Sequence, residues 1–321
     1  KHPDVSAKTC EKVMRIIQQH DYVPNNSARN LKRESMKAVA VVVKGFSNPI
    51  FTSILAIVQQ ELERNNYTMI LAQVETNQDE VKAAISLCKE KKPRGLIFMG
   101  GNFSHTRDKL AMLDVPFMML TITMHNNVDR TAFSSVTVDD HTAGYAVATR
   151  MIDSGHTRLA AIGASADDIS ISRLRIDGFR QAKQDSRLYN GDELVAFAGE
   201  FSHAGGYKAA NELLKQGDFS CLFCISDILA LGAIRAIHDA GLSVPGDISV
   251  VGLDGIEVVS AFIPSLATRQ QPDSQMAHES MLILPDHIRS GAAPQHQCFD
   301  AVCAERESSA ARTAQPAPSP H

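Results

Sequence analysis

The sequence predicts an α/β protein whose two lobes each contain a doubly wound parallel sheet, and three observations favour this fold class. The chain of 321 residues is 44% hydrophobic, enough to bury the cores of two lobes. Its apolar runs are continuous rather than alternating, as in parallel strands covered on both faces. These runs alternate with helical patterns, and the whole series occurs twice in tandem, which predicts right-handed βαβ units in two similar halves.

Two segments precede the first buried strand. The stretch VSAKTCEKVMRIIQQHDY has the pattern of an amphipathic helix, with Ser6 as its N-cap. Since a single helix of this length is not stable alone, we expect it to pack against further protein. The following stretch, DYVPNNSARNLKRESMK (Asp21–Lys37), is basic and carries one isolated aliphatic side chain, Leu31. It is too polar to hold a core of its own.

The first half begins at Ala38. Its predicted strands are AVAVVV, YTMILAQV, RGLIFMG and VPFMMLTIT, and its predicted helices are NPIFTSILAIVQQELERN, QDEVKAAISLCKEKK and HTRDKLAMLD. Ligands of such sheets bind outside the carboxyl ends of the strands. With two halves facing one another, the cleft between them is the expected site.

The second half follows the helix HTAGYAVATRMIDSG. Its predicted strands are RLAAIGA, LVAFAGEF, CLFCIS and ISVVGLDG, and its predicted helices are SRLRIDGFRQAKQD, GGYKAANELLKQ and ILALGAIRAIHDAG. The last segment is predicted to form a helix, which Pro285 should kink or end, followed by one strand, HQCFDAVCAE. The tail is rich in Ala, Ser and Pro, which predicts disorder over 307–321.

Charge and hydropathy exclude several classes of protein. The formal net charge of −4 excludes a protein that coats nucleic acid over its whole surface, so any contact with a polyanion must be local. No run of 18 apolar residues is present, which argues against a spanning helix and a membrane partner. The first residues lack the basic-then-apolar layout of a secretory signal. We therefore expect a cytoplasmic protein.

The cysteines and the search for catalytic motifs predict neither a metal nor a cofactor. Cys221 and Cys224 have the CxxC spacing of zinc and redox sites, but they fall in a predicted strand, where residues three apart point to opposite faces. Buried reduced thiols are the alternative that we favour. No P-loop, GxGxxG, HExxH or GxSxG motif occurs. His156 is either a general base or a turn residue that bonds the backbone, and we expect no enzymatic activity.

Nine stretches resemble one family in the family's own order. They are VSAKTCEKV, DYVPNNSARNLKRE, VAVVV, SNPIF, SGHTRLAAIG, SRLRIDGF, CISDILALGAIRAIHDAGLSVPGDISVVGLDG, IPSLATRQQP and ERESSA. Together they resemble the lactose-repressor (LacI/GalR) family of bacterial transcription regulators. The resemblance implies a helix-turn-helix headpiece, a hinge helix and a two-lobed core like that of periplasmic sugar-binding proteins.

The resemblance also implies a division of the chain. Residues 1–23 match the end of the headpiece and 24–37 the hinge helix and linker. The N-terminal lobe corresponds to 38–154 plus about 271–294, and the C-terminal lobe to 155–270 plus about 295–306. Because the match begins at the third headpiece helix, the first two helices, including the recognition helix, are expected upstream of Lys1. A chain without them should bind operator DNA weakly.

In the family, the segment matching Pro24–Arg33 folds as a hinge helix on DNA. Two such helices, one from each subunit of a dimer, enter the minor groove. Leu31 matches the leucine that is wedged into a base step, with Ala28 one turn earlier. Further candidates for contacts with phosphates and groove edges are Asn25, Asn26, Ser27, Arg29 and Lys32. The alternative is a solvated linker whose leucine packs on the core.

The effector site is carried over from the resemblance in the same way. Arg175 matches the arginine that forks onto ligand oxygens, and Asp254 matches the carboxylate that accepts ligand protons. The remaining candidates are Asp139, Ser226 and two aromatic residues, Phe51 and Phe201. The alternative is a structural ion pair between Arg175 and Asp254 with core phenylalanines. Ile169 and Ile171 stand where sugar-binding members are often polar, which favours a smaller or less polar ligand.

The function implied is that of a DNA-binding transcription regulator, a repressor, acting as a homodimer on double-stranded operator DNA. A small-molecule effector such as a sugar or a nucleoside would bind in the cleft and change the affinity for DNA. Two hinge helices at one pseudo-palindromic site require the dimer. The alternative is a solute-binding protein of the same core fold that does not bind DNA. A signal peptide and no hinge segment would favour that alternative, and the sequence shows the reverse.

Overall fold

The computed structural model describes residues 8, 11–12, 37–75, 77–101, 105–123, 129–165, 171–188 and 193–312. The chain divides into two units, residues 1–36 and 37–321. In the first unit, residues 8, 11 and 12 are helical, which falls within the predicted helix. The predicted hinge residues 25–32 lie outside the described residues.

The first lobe is built on a six-stranded sheet in the order β11-β5-β4-β3-β1-β2. Its strands are β1 (Ala38–Lys44), β2 (Thr68–Val74), β3 (Gly95–Met99), β4 (Phe117–Leu120), β5 (Ser134–Val138) and β11 (His296–Phe299), and its helices are α1 (Ile50–Arg64), α2 (Glu80–Lys91), α3 (Arg107–Leu110) and α8 (Asp273–Ser290). Every neighbouring pair in this sheet is parallel.

The second lobe has a sheet in the corresponding order β12-β10-β9-β8-β6-β7. Its strands are β6 (Leu159–Gly163), β7 (Leu194–Phe197), β8 (Cys221–Cys224), β9 (Ser249–Asp254), β10 (Ala267–Gln270) and β12 (Val302–Ala304), and its helices are α4 (Asp140–Asp153), α5 (Ile171–Asp185), α6 (His203–Gln216) and α7 (Asp227–Asp239). Only β12 runs antiparallel to its neighbour. The predicted fold class, two doubly wound parallel-sheet lobes, is confirmed.

The central strand β1 shows why continuous apolar runs predicted this fold. Val39, Val41 and Val43 belong to one buried cluster, whereas Ala40 and Val42 belong to a second cluster. Alternate residues of a strand point to opposite faces. Both faces of the sheet are therefore covered, as expected for a parallel sheet between layers of helices.

Two reciprocal glycine crossings hold pairs of helices in close contact. Where α4 crosses α5, a Cβ on Gly144 would lie 2.0 Å from the carbonyl oxygen of Arg175, and one on Gly178 would lie 2.0 Å from that of His141. In the crossing of α6 with α7, a Cβ on Gly206 would lie 2.2 Å from the carbonyl oxygen of Leu229. A Cβ on Gly232 would likewise lie 2.1 Å from the carbonyl oxygen of His203. Only glycine permits backbones to approach this closely.

Three predicted boundaries differ from the structure. Helix α4 packs on α5, so it belongs with the second lobe and the chain crosses between lobes before Asp140 rather than near 154. The predicted strand in HQCFDAVCAE is two strands, because β11 joins the first sheet and β12 the second. The range 295–306 is thus divided between the lobes. Pro285 does not end α8, which continues to Ser290, and the proline is buried.

The predicted disorder of the tail is wrong for 307–312. The buried Ser308 hydroxyl donates to the carbonyl of Val250 (2.6 Å) and accepts from the N–H of Ala267 (2.8 Å). The imidazole of His156 lies 3.0 Å from the carbonyl of Ala310 and 3.0 Å from the Ser220 hydroxyl. Desolvation lowers the pKa of His156, so it is a neutral, backbone-bonded residue as one of its two interpretations predicts. Residues 313–321 lie outside the described residues.

Candidate functional site

The candidate site lies where the carboxyl ends of strands from both sheets meet. The first lobe contributes Asn48, from the connection after β1, and the second lobe contributes Asp254 at the end of β9 and Ser226 just after β8. Asp140, the first residue of α4, follows β5. Arg175, from α5, lies among them and is only 1% exposed.

The Arg175 guanidinium is held entirely inside this cluster. Its Nε donates to Asp140 Oδ1 at 2.8 Å, and its Nη1 donates to the carbonyl of Ile225 at 2.6 Å. The same Nη1 lies 3.4 Å from Asp254 Oδ1. Desolvation opposes the charged form, but the attraction of the two carboxylates is larger and raises the pKa of Arg175. A buried arginine paired in this way is fixed in direction and charge.

The Asp254 carboxylate accepts hydrogen bonds from several side chains. Ser226 Oγ donates to Oδ2 at 2.7 Å and Asn48 Nδ2 donates to the same oxygen at 3.1 Å. Gln271 Nε2 donates to Oδ1 at 2.7 Å. Asp254 also has a φ of +135°, a strained conformation for a residue other than glycine. The end of β9 is therefore shaped to present this carboxylate to both lobes.

Asp227 supports the turn that follows Asp254. Its carboxylate accepts from the N–H groups of Gly255 (2.6 Å) and Ile256 (2.9 Å) and from the hydroxyl of Thr268 (2.6 Å). Desolvation and the nearby Asp254 raise the pKa of Asp227 to about 7. The sequence prediction missed this residue, although an acidic residue at the start of α7 is a signal for a helix N-terminus.

Asp140, rather than the predicted Asp139, faces Arg175. The exposed Asp139 carboxylate caps α4 by accepting from the N–H of Thr142 (2.9 Å) and from its hydroxyl (2.7 Å). Asp140 is 3% exposed and accepts from the Thr123 hydroxyl (3.0 Å) as well as from Arg175. The spacing D-x-x-T was the signal for a cap, since an N-cap carboxylate bonds the third residue of the helix.

The two predicted aromatic residues lie in different lobes. Phe51 in α1 is 6% exposed and belongs to the hydrophobic core, with its ring packed beside Gly100. Phe201, just before α6, is half-buried, and its carbonyl accepts from the Ser47 hydroxyl at 3.1 Å. The structure therefore brings Arg175, Ser226 and Asp254 together. It adds Asn48, Asp140 and Gln271, and it leaves Phe51 in the core.

A second polar cluster lies at the carboxyl ends of β1 to β3. Asp79, Glu80 and His105 place one ligand atom each within 4.8 Å, the one such group among the described residues that could hold a metal. Lys44 pairs with Glu80 at 2.9 Å, and Lys109 pairs with Asp79. Because two ammonium groups already neutralise the two carboxylates, this cluster is a structural ion-pair network. The pair Cys221 and Cys224 is buried in β8, and burial raises the pKa of both thiols, as expected of reduced cysteines.

An apolar groove of about 710 Å³ opens on the second lobe, away from this site. Ile263 is 90% exposed at its edge, and Phe262 is 37% exposed. The remaining lining residues come from α6, α7 and the loops that follow, and they are His203, Ile234, Arg235, His238, Leu242, Ser243, Val244 and Pro264. Exposed apolar side chains grouped in this way are typical of protein–protein contacts. Within the described part of the chain, no helix has both the length and the apolarity to cross a membrane.

Comparison with known proteins gives consistent matches. A family model described as periplasmic binding proteins and sugar binding domain of LacI family matches residues 36–309. The chain is 36% identical over 310 residues to the HTH-type transcriptional regulator MalR of Clostridium butyricum, a match that covers 96% of this chain and 92% of that protein. It is 29% identical over 291 residues to the HTH-type transcriptional repressor PurR of Haemophilus influenzae (strain PittEE), covering 88% and 83%.

Solved structures of similar fold include two with bound sugars. The transcriptional regulator CelR–cellobiose complex matches with a TM-score of 0.76 and 26% identity, covering 96% of this chain and 92% of that one. A LacI family regulator from Enterococcus faecium with bound ribose matches with a TM-score of 0.76 and 23% identity, covering 86% and 100%. The second of these similarities concerns the fold alone.

Proposed function

Because this chain belongs to the LacI family of transcriptional regulators, we propose that it is a repressor whose cleft binds a small neutral effector and couples that binding to operator DNA. The observation that carries the proposal is the buried cluster of Arg175, Asp140 and Asp254 between the carboxyl ends of the two sheets. Asn48 and Thr123 of the first lobe bond Asp254 and Asp140 of this cluster, and the same polar groups can equally bond a ligand.

The charges in the cleft favour a neutral, hydroxylated ligand. Arg175 is the one cation of the cluster, and it faces the two carboxylates of Asp140 and Asp254. A phosphorylated or carboxylated ligand would meet net negative charge, whereas sugar hydroxyls can donate to both aspartates and accept from the arginine. The CelR structure, a complex with cellobiose, makes a sugar the first candidate. A nucleoside remains the second.

DNA binding is assigned to the basic segment that precedes the core. Leu31 is the proposed wedge in the minor groove, with Ala28 beside it. The proposed contacts to phosphates and groove edges are Asn25, Asn26, Ser27, Arg29 and Lys32. Named relatives that are transcriptional regulators support this function over that of a solute-binding protein. The same relatives give no support for an enzyme.

The apolar groove on the second lobe is the proposed homodimer surface. An operator with two half-sites requires a protein with two-fold symmetry, so the natural occupant is a second copy of the chain. The exposed Phe262 and Ile263 supply the apolar centre that such an interface needs. His203, Arg235 and His238 supply a polar rim.

Binding of sugars to variants of α5 tests the effector site. Isothermal titration would be run with mono- and disaccharides and nucleosides on the wild type and on Arg175→Lys, which keeps a cation between the aspartates but loses the fork of donors. We expect the best ligand to bind the variant at least about tenfold more weakly. Arg173→Lys is the matched control, because that arginine lies on the same helix with a side chain 52% exposed.

Equal affinities for the two variants would remove Arg175 from the ligand site. A wild type that binds no member of the panel but does bind phosphorylated sugars would contradict the charge argument. Coupling is measured separately, as the change in operator affinity caused by saturating ligand; linkage requires the same factor in the ligand affinity when DNA is added.

A further inference from the structure

Three carboxyl groups of the cleft are buried around the guanidinium of Arg175. Asp140, Asp227 and Asp254 are 3%, 0% and 2% exposed, and Arg175 is 1% exposed. Arg175 pairs with Asp140 at 2.8 Å and lies 3.4 Å from Asp254. If all four groups were ionised, three negative charges would share one positive charge. Because an unbalanced buried charge is costly, such a cluster favours the uptake of a proton by one carboxylate.

Asp227 is the carboxyl group placed to hold this proton. Arg175 balances the charges of Asp140 and Asp254 by direct contact, whereas the bonding partners of Asp227 are neutral. These partners are the N–H groups of Gly255 (2.6 Å) and Ile256 (2.9 Å) on Oδ2 and the hydroxyl of Thr268 (2.6 Å) on Oδ1. Desolvation also raises the pKa of Asp140, but the bond with Arg175 opposes that shift. Among the described residues of the cluster, Asp227 is therefore the carboxyl group without a bonded cation.

The hydrogen bonds of Asp227 fit the protonated form as well as the ionised one. A proton on Oδ1 can be donated to the Thr268 hydroxyl, because a hydroxyl group can either donate or accept. Oδ2 then still accepts from both backbone N–H groups of the turn. Strand β9 closes off Oδ1, since a Cβ on Gly252 would lie 2.2 Å from this oxygen. Protonation therefore requires no rearrangement of the turn.

The titratable groups that face Asp227 come from the neighbouring strands. They are the buried thiol of Cys224 on β8 and the carboxylate of Asp254 on β9, while β10 presents the neutral Thr268. Glu257, after the turn, is exposed, and α6 crosses the first turn of α7 at a glycine. The charged residues of α7 itself lie two or more turns along the helix, and they are Arg235, His238 and Asp239. Desolvation and Asp254 act in the same direction and raise the pKa of Asp227 to about 7.

We propose that Asp227 binds a proton and that this proton regulates the cleft. The turn that Asp227 holds directly follows Asp254, so its charge acts on the proposed ligand-binding carboxylate from close by. Closure of the cleft over a ligand removes water from around the cluster, which costs more when Asp227 is charged. The affinity for a neutral ligand should therefore fall as Asp227 loses its proton. This link to the effector rests on the proposed function; proton binding by Asp227 does not.

Carbon-13 NMR of the full chain, labelled at the aspartate carboxyl carbons, measures the proton directly. We expect one carboxyl group with a midpoint at a pH of about 7 in the wild type, and its loss in Asp227→Asn. Asparagine mimics the protonated form, because its amide can donate to Thr268 and accept from the turn. The matched control is Asp218→Asn, a side chain 96% exposed in the same lobe. No aspartate that titrates there, or a transition that persists in Asp227→Asn, overturns the proposal.

Two further variants keep the test independent of substitutions at Asp227 itself. Thr268→Val removes a hydroxyl that stabilises the carboxylate, so it should raise the midpoint by about one pH unit. Asp254→Asn removes the neighbouring negative charge and should lower the midpoint by about one pH unit. A midpoint that moves in neither variant, or that moves in the same direction in both, overturns the assignment to Asp227.

The pH profile of ligand binding measures the link to the effector. With cellobiose as the first probe, followed by the other sugars and the nucleosides of the panel, we expect wild-type affinity to fall about threefold or more between about pH 6 and about pH 8. Asp227→Asn should show no such fall. A wild type that binds a sugar equally at both pH values overturns the regulatory link. A wild type that binds no member of the panel overturns the proposed function, while the NMR result for the proton still stands.

Discussion

Asp139 and Asp140 are consecutive residues at one strand end, yet the start of α4 points their carboxylates in different directions. Asp139 is the N-cap and bonds Thr142, whereas Asp140 is the first helical residue and faces inward to Arg175. The resemblance predicted an acidic group here, at Asp139. Which of the two reaches the cleft depends on where the helix begins, and helix boundaries are the least certain part of a prediction from sequence.

Two isosteric substitutions distinguish these roles. Asp139→Asn should change the free energy of unfolding by less than about 0.5 kcal/mol, because asparagine caps a helix as well as aspartate does. Asp140→Asn removes a buried partner of Arg175 and should cost about 3 kcal/mol. Chemical denaturation of both variants measures the difference. Similar losses for the two would mean that Asp140 contributes no more than a cap.

At the scale of elements, the sequence predicts which helices and strands form, but not which sheet each of them joins. Continuous apolar runs identified the central strands because burial on both faces leaves no polar position. The last strand was predicted as one element, since nothing local in HQCFDAVCAE marks the crossing from β11 to β12. The tail has the composition of a disordered segment, but Ser308 finds buried backbone partners. Its ordering depends on tertiary contacts that composition does not encode.

For the crossing of α4 and α5, the sign of the stability change on Gly→Ala substitution is informative. In an open helix, Gly→Ala would stabilise by about 1 kcal/mol through helix propensity. Gly178→Ala should instead destabilise by about 1–3 kcal/mol, because the new methyl would lie 2.0 Å from the carbonyl oxygen of His141. Gly217→Ala, at the residue that follows α6, is the control for an added methyl group that meets no clash, since its nearest neighbours are 3.8 Å away. Thermal unfolding of both variants is the measurement, and a stabilised Gly178→Ala would contradict the close crossing.

At the scale of the whole molecule, the tandem pattern was sufficient to predict two similar lobes, and the resemblance predicted their family. The residues that link the lobes were harder to find. Asn48 and Gln271 are ordinary amides in the sequence, and only the meeting of both sheets brings them to Asp254. Arg175 and Asp254, by contrast, were predicted from the resemblance, because they stand at positions that match the family's arginine and carboxylate.

The proposed homodimer belongs to this scale too. Ile263→Glu would place a charge in the apolar groove of the proposed interface and should weaken self-association by about tenfold or more. If the proposed homodimer forms, sedimentation over a range of concentrations should show a monomer for the variant and a dimer for the wild type. The control is Leu282→Glu, another apolar residue, 66% exposed, on α8. Loss of the dimer only in the control would move the interface to the first lobe.

In the proposed effector site, the hydrogen bonds to Asp254 would also determine how the cleft distinguishes one ligand from another. Asn48, Ser226 and Gln271 already satisfy its oxygens. A ligand that displaces any of these donors must supply one in return, because an unsatisfied buried group costs about 1–3 kcal/mol. Binding then exchanges one hydrogen-bond donor for another, and a ligand that lacks the replacing donor is rejected. We expect a deoxy analogue of the true effector to be rejected more sharply than its size suggests, which competition titration would reveal.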